Sequence, residues 1–261
     1  MKLKYLSLIP VKKILTNDVG KYAIETEQEV NQIKACPIKD AKCQLELIRT
    51  IKKIVTKGVP ELNIPKLDVI ILKNLTVQLP ELMDFTLLEG SVSGADKCTY
   101  KSAKFDFDAR KFTIEQYCDL IIKGNYVAYL YANATLTTFG GQNIQAHGNT
   151  EVKLVKLPLT ADYEFLLNKK SNGDIFLTFQ EPTINYDFNE PGHSISFKLD
   201  GVILGSLDIS EIAMNILNDN WQFFAPDFGP TFVLAITRPI NHPLLKYLSN
   251  TPTTHLFVEP L

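Results

Sequence analysis

The feature that most constrains the fold is a long region of two-residue alternation, which begins near Leu67. Around Phe105, for example, Asp106 and Asp108 separate apolar residues. Such alternation gives each β-strand one apolar and one polar face. Turn-forming clusters divide the region at Glu89 to Asp96, Ala109 to Lys111, Gly140 to Gly141, Asn168 to Gly173 and Asn189 to Gly192. The pair Asn172-Gly173 predicts a hairpin with a type I′ turn. The sequence therefore predicts an antiparallel sheet.

The segment from Cys43 to Gly58 has a different period. Its apolar residues recur at helical spacing, at Leu47, Ile51, Ile54 and Val55. Gly58 is a C-cap candidate and Pro60 follows it. We expect an amphipathic helix that ends at Gly58.

Helical spacing returns in the C-terminal part of the chain, from Leu207 to Phe224, with Ser206 or Asp208 as the N-cap candidate. Its apolar residues spread over more than one narrow stripe, so we expect a largely buried helix. Proline and glycine predict an interruption at Pro226, Gly229 and Pro230, and a second helical piece from Phe232 that is broken at Pro239 and Pro243.

These elements predict an α+β protein in which a strongly curved antiparallel sheet wraps a long apolar helix. Both partners then turn apolar side chains inward, which permits an elongated hydrophobic tunnel; a filled core is the alternative. Candidate tunnel-lining residues are Phe105, Phe107, Tyr126, Ile212, Ile216 and Trp221. We expect one such domain over residues 31–261, preceded by a flexible leader over residues 1–30.

Composition narrows the class of partner. The chain has 261 residues, 45% of them hydrophobic, and a net charge of -2 with both signs mixed along its length. No basic stripe is present to follow a phosphate backbone, so we expect no nucleic-acid partner. No run approaches the roughly 20 apolar residues of a transmembrane helix. The apolar run from Tyr5 to Val11 is short and is broken by Ser7 and Pro10, so whether the leader includes a signal peptide stays open.

Four cysteines lie at positions 36, 43, 98 and 118 without a C-x-x-C motif or a histidine at ligand spacing, so we expect no metal site. Three pairings are possible. The local pairing, Cys36 with Cys43 and Cys98 with Cys118, closes the shortest loops. Four reduced core thiols are the alternative. The sequons at Asn74 and Asn133 predict glycosylation if the chain enters the secretory pathway.

Residues for catalysis are not evident. The sequence carries no nucleophile elbow, zinc-protease, nucleotide-binding or kinase signature. The four histidines, at positions 147, 193, 242 and 255, lie near glycine or proline and are expected in exposed loops. Asp106 and Asp108 share the polar face of a strand, where solvation is a simpler explanation than a catalytic pair. We expect neither enzyme activity nor a cofactor.

Four segments carry a family resemblance, and they occur in the right order: Gly58 to Asp68, Ile122 to Tyr126, Asn218 to Trp221 and Thr251 to Phe257. From about Cys36 to the C-terminus, the chain resembles the insect takeout and juvenile hormone binding protein family. The resemblance implies secretion, a curved sheet around a long helix, and a tunnel for juvenile hormone or other long apolar molecules. It also supports the local disulfide pairing.

The sequence departs from this family in two places. The stretch after Tyr126 lacks the usual glycine-rich apolar continuation, and the pair Cys98 and Cys118 precedes the position of the second pair in juvenile hormone binding proteins. The segment from Cys98 to Tyr126 also resembles the fibrohexamerins, which are glycoproteins of lepidopteran silk. We therefore expect a secreted carrier for an elongated hydrophobic molecule, such as a juvenile hormone-like compound, a fatty acid or another lipid. The alternative is a secreted glycoprotein that associates with large silk fibroin chains.

Overall fold

The computed structural model describes residues 33–79, 83–131 and 144–261, so the expected leader over residues 1–30 lies outside the described residues. The helices are α1 (Ala41–Lys57), α2 (Ser210–Asp219), α3 (Trp221–Asn250) and α4 (Thr253–Leu256). The strands are β1 (Val69–Leu79), β2 (Met83–Ser93), β3 (Thr99–Asp106), β4 (Lys111–Leu130), β5 (Ile144–Lys169), β6 (Ile175–Phe179), β7 (Thr183–Asn185), β8 (Ser194–Leu199), β9 (Val202–Leu204) and β10 (Leu207–Asp208).

Within the described residues, the two longest strands, β4 and β5, form the centre of one ten-stranded sheet. They pair antiparallel from Lys111 opposite Glu164 to Leu130 opposite Ile144. On the side of β4 that faces away from β5, β3 pairs with the first half of β4 and β2 pairs with its second half. On the side of β5 that faces away from β4, the first half of β5 pairs with β9 and β8. The second half pairs with β7 and β6. The predicted antiparallel sheet is confirmed, and the strands described here do not close into a barrel.

The curvature of the sheet has local causes in β2, β4 and β5. In β5, two residues, Val155 and Lys156, lie opposite the single residue Asp119, whose Oδ1 accepts a hydrogen bond of 2.7 Å from the Lys156 backbone N–H. Such a bulge increases the local twist. A second irregularity lies in β2, next to the point where Gly90 faces Gly124. A Cβ atom at Gly124 would lie only 2.3 Å from the carbonyl oxygen of residue 89, so the two strands can approach this closely only at glycine.

The helix inside the curved sheet is α3, and it differs from its prediction. It continues without a break through Pro226, Pro230, Pro239 and Pro243, so the predicted interruptions are wrong. Each internal proline removes a hydrogen bond and crowds the preceding turn. The apolar side chains of α3 pack against the sheet over most of its length, and this tertiary packing overrides local propensity.

The helix starts are also different from those predicted. Leu207 belongs to the short strand β10, and α2 begins only at Ser210. Asn220 separates α2 from α3. No residue of α2 is fully buried, so the expectation of a largely buried helix holds for α3 and is wrong for α2.

The β5–β6 hairpin is present, but its turn is not of type I′. The Gly173 N–H donates a 2.9 Å hydrogen bond to the carbonyl of Lys170, which closes a turn with Asn172 in its interior. Only Gly173 has a positive φ, of 89°, whereas type I′ requires positive φ at both central residues. A type I turn followed by a left-handed glycine is the other common hairpin solution.

Both local disulfides are present. Cys36–Cys43 ties the incoming segment to the first turn of α1, and Cys98–Cys118 ties the start of β3 to β4. Cys36 also makes two backbone hydrogen bonds to the C-terminal segment, with Leu256 at 2.9 Å and Val258 at 3.0 Å. The predicted pairing is confirmed, and the two ends of the described chain are joined beside α1.

Candidate ligand-binding cavity

A cavity of about 300 Å³ lies between the N-terminal half of α3, α2 and the inner face of the sheet. Twenty-eight described residues line it, and none of them is charged. The strands contribute, among others, Leu87, Ile122, Ile144, Val152, Leu154 and Phe197; the helices contribute Ile216, Trp221 and Val233.

The apolar wall follows from the alternation in β4 and β5. Inward-facing residues of β4 have even numbers, as do those of β5 from Ile144 to Leu154. Beyond the bulge at Val155 and Lys156 the inward residues of β5 have odd numbers, beginning with Leu157. One additional residue in a strand exchanges its two faces, so the bulge changes which positions of β5 face the helix.

Three of the predicted lining residues, Tyr126, Ile216 and Trp221, lie on this wall. Tyr126 donates a hydrogen bond of 2.8 Å to the carbonyl of Asp200. Burial, supplemented by the charges of Asp200 and Asp208, raises the pKa of Tyr126 to about 12, so it remains a neutral donor.

The other three predicted lining residues lie elsewhere. Phe105 and Phe107 stack on each other, with ring centroids 6.0 Å apart, and contact Phe257 in a filled aromatic core beside α1. Ile212 is 52% exposed on the outer side of α2. The assignment of Phe105 and Phe107 to the cavity is wrong because alternation predicts which face of a strand is apolar, whereas the hollow part of the interior depends on packing between distant segments. The assignment of Ile212 is wrong because α2 turns only Ala213, Ile216 and Leu217 toward the cavity.

The hydroxyl groups on the wall are already paired. The Tyr126 hydroxyl donates to the carbonyl of Asp200, and the Thr150 hydroxyl donates to the carbonyl of Lys198 at 3.2 Å. Neither needs a ligand to satisfy it. The described wall is therefore suited to apolar contact, with shape as the main source of selectivity.

One side of the cavity is covered by α2, whose Ala213, Ile216 and Leu217 face inward. Asn218 attaches this helix to β8 through two hydrogen bonds with the backbone of Phe197. Sequence reasoning noted Asn218 only as part of a family motif; the paired amide could not be recognised before the helix and strand were brought together.

A second cover is the 186–193 connection, which joins β7 to β8. Its Phe188 lies on the cavity wall and packs against Gly229 of α3, where a Cβ atom would be 2.5 Å from the Phe188 ring. The turn that follows returns His193 to the interior, where it is 8% exposed and its Nδ1 lies 2.8 Å from the carbonyl of Val155. The expectation that His193 lies in an exposed loop is wrong. Phe188 and Gly229 were not identified as site residues from the sequence.

The remaining predicted sites have separate outcomes. Asn74 is exposed on β1, with a φ of 51°, and Asn133 lies outside the described residues. Across residues 33–79, 83–131 and 144–261, no group of three potential metal ligands is found. In the same ranges, no helix has the length and apolar character required to cross a bilayer.

The fold and the cavity define a class of protein: an open antiparallel sheet wrapped around a helix, with a cavity in the size range of ligand sites whose described lining is uncharged. Residues 15–258 match the model of the haemolymph juvenile hormone binding protein family, and the chain belongs to this family of binding proteins. The resemblance noted in the sequence is confirmed.

Solved structures support the fold. The crystal structure of Takeout 1 from Epiphyas postvittana is similar with a TM-score of 0.73 and 20% sequence identity, over 86% of this chain and 99% of that chain. Lipopolysaccharide binding protein has a TM-score of 0.36 and 8% identity, over 82% of this chain and 41% of that chain, which is too low to support an argument. No curated protein matches the chain in sequence.

Proposed function

We propose that the protein is a secreted, non-enzymatic carrier for an elongated hydrophobic small molecule, such as a fatty acid, a juvenile hormone-like compound or another lipid. The observation that carries this proposal is the cavity wall: its described residues include no charged side chain, and the two hydroxyl groups among them already donate to backbone carbonyls. Membership in a family of binding proteins supports the same function.

The form of the cavity favours a chain-like ligand. Its wall follows β5 from Ile144 to Leu157, which corresponds to roughly 40 Å of extended strand. A volume of about 300 Å³ distributed along such a wall is narrow. Burial of a ligand CH₂ group contributes about 0.8 kcal/mol of favourable binding free energy. A chain of about fifteen CH₂ groups therefore contributes roughly 12 kcal/mol, from which the unfavourable free energy of association is subtracted. One unbranched or isoprenoid chain suits this space.

The disulfides support secretion, because such bonds persist mainly in oxidising compartments. The exposed position of Asn74 leaves its side chain accessible for a glycan. Treatment of the protein from its native source with an N-glycosidase, followed by mass spectrometry, tests this point. No observation in the described part of the chain favours the alternative association with silk fibroin.

The carrier function is tested with two substitutions on α2. Ala213 faces the cavity, whereas the adjacent Ile212 faces solvent. We expect Ala213→Trp to fill ligand space and abolish uptake of the fluorescent probe N-phenyl-1-naphthylamine, while Ile212→Trp takes up the probe like the wild type. Thermal unfolding of both variants checks their folding. Failure of the wild type to bind any apolar probe, with no lipid in an organic extract of the native protein, would contradict the proposal.

A further inference from the structure

An unpaired acceptor lies beside the cavity. The Nδ1 atom of His193 lies 2.8 Å from the carbonyl of Val155, so Nδ1 carries the proton and Nε2 carries a lone pair. Nε2 is fully buried and has no hydrogen-bond partner among residues 33–79, 83–131 and 144–261. Burial of an unsatisfied acceptor is unfavourable, which makes this atom a candidate for binding a donor from outside the chain.

His193 contacts the cavity wall through two aromatic rings. Its ring lies edge-to-face with Trp221, at 5.2 Å and 83°, and stacks at 5.9 Å with Phe188. Both rings line the cavity. Tyr186 packs against Phe188 with ring centroids 4.4 Å apart, and its hydroxyl lies close to Gly229. We call Tyr186, Phe188, His193 and Trp221 the aromatic corner.

The aromatic corner combines both kinds of hydrogen-bonding group. Nε2 of His193 is an acceptor group, while the Trp221 indole N–H and the Tyr186 hydroxyl are donor groups. Burial lowers the pKa of His193 against the opposing influence of the Val155 carbonyl and of Asp187, which is consistent with a neutral ring. A group with both an O–H donor and an oxygen acceptor complements this set.

We propose that the aromatic corner is the subsite for the polar end of the ligand, and that this end carries an O–H group, as in a long-chain alcohol or a protonated carboxylic acid. The O–H group donates to His193 Nε2 after the Phe188 side chain turns aside, and the alkyl chain occupies the apolar cavity. This inference rests on the proposed carrier function and specifies its ligand class. Esters, ethers and epoxides without an O–H group leave Nε2 unpaired.

The test compares matched ligands. Displacement of bound N-phenyl-1-naphthylamine gives the affinities of 1-hexadecanol and its methyl ether, and of hexadecanoic acid, expressed for its protonated fraction at the pH of the measurement, and its methyl ester. Recovery of one buried hydrogen bond corresponds to about a tenfold preference of the wild type for each O–H compound. His193→Phe keeps a ring but removes the acceptor and is expected to equalise each pair. His193→Gln supplies an amide oxygen in its place and is expected to retain the preference.

His242→Phe is the matched control, since it makes the same change at an exposed position of α3 that does not line the cavity; it should retain the wild-type preference. If the wild type binds each pair equally, or if His193→Phe keeps the preference, the subsite is wrong while the carrier function stands. If no ligand displaces the probe and the probe itself does not bind, the carrier function fails. Should His193→Phe not fold, the ¹⁵N signal of Nε2 in the wild type provides a second measurement: 1-hexadecanol must shift it and the methyl ether must not.

Discussion

Asn218 hydrogen-bonds to both backbone polar groups of Phe197: its Nδ2 donates to the carbonyl at 3.0 Å, and its Oδ1 accepts from the N–H at 2.7 Å. An asparagine side chain thus replaces a neighbouring strand at the edge of β8. Because Phe197 lies on the cavity wall, this pair joins the cover helix α2 to the wall that it covers.

We expect Asn218→Ala to loosen α2 and to reduce the unfolding free energy by about 1–3 kcal/mol, because two backbone groups of β8 lose their partner. Hydrogen exchange measured by mass spectrometry should become faster in α2 and β8. Asn220→Ala is the control, since the Asn220 side chain bonds only within the helix region, to the carbonyl of Ile216. Unchanged exchange in the Asn218 variant would contradict a fastening role.

Gly124 marks the close approach of β2 and β4. We expect Gly124→Ala to lower the unfolding free energy by more than about 2 kcal/mol. The new Cβ atom would lie 2.3 Å from the backbone oxygen of residue 89 and 2.6 Å from the Cα atom of Gly90. Gly173→Ala, at a position with φ +89° and open space around the new Cβ, should cost only about 1 kcal/mol from its backbone conformation. Denaturant unfolding compares the two. Equal losses would show that the sheet adjusts at Gly124.

Lys52 on α1 predicts a distinct pH dependence of stability. Burial lowers its pKa to about 8, although Asp96 opposes the shift, and its Nζ donates to the carbonyl of Cys98. Between pH 8 and 10.5 the unfolded chain binds the proton that the folded chain has released, so this residue makes the unfolding free energy rise with pH across that window. The resulting increase in the unfolding free energy is at most about 3 kcal/mol.

The measurement is the unfolding free energy of the wild type and of Lys52→Met at several pH values from 7 to 10. The value for the wild type minus the value for the variant should increase with pH. Lys53→Met, at an exposed position on the same helix, controls for loss of one lysine. A difference in unfolding free energy that stays constant across this pH range would contradict the prediction.

The disulfides should contribute unequally because their loops differ in length. Cys98–Cys118 spans 20 residues and Cys36–Cys43 spans 7. Loop-closure entropy predicts losses of about 3 kcal/mol for the Cys98→Ser, Cys118→Ser double variant and about 2 kcal/mol for the Cys36→Ser, Cys43→Ser double variant. Denaturation at fixed pH gives both values. A larger loss of unfolding free energy for the Cys36→Ser, Cys43→Ser double variant would contradict this order. It would show that the contacts of Cys36 with the C-terminal segment contribute more than the difference in loop-closure entropy.

The residue pattern was sufficient for the sheet and for the first helix. Alternation around Phe105 identified which side chains of β3 face inward, and Gly58 marked the end of α1. These features are local: a strand has a period of two whatever lies across from it, and a C-cap glycine acts within its own turn.

The tertiary structure decided which part of the interior is hollow. Phe105 and Tyr126 both face inward, yet Phe105 is enclosed by other aromatic rings while Tyr126 borders the cavity. It also decided that α3 continues through its prolines and that His193 is buried. Each outcome depends on the volume and hydrogen bonds supplied by segments distant in the chain, and no local periodicity encodes that volume.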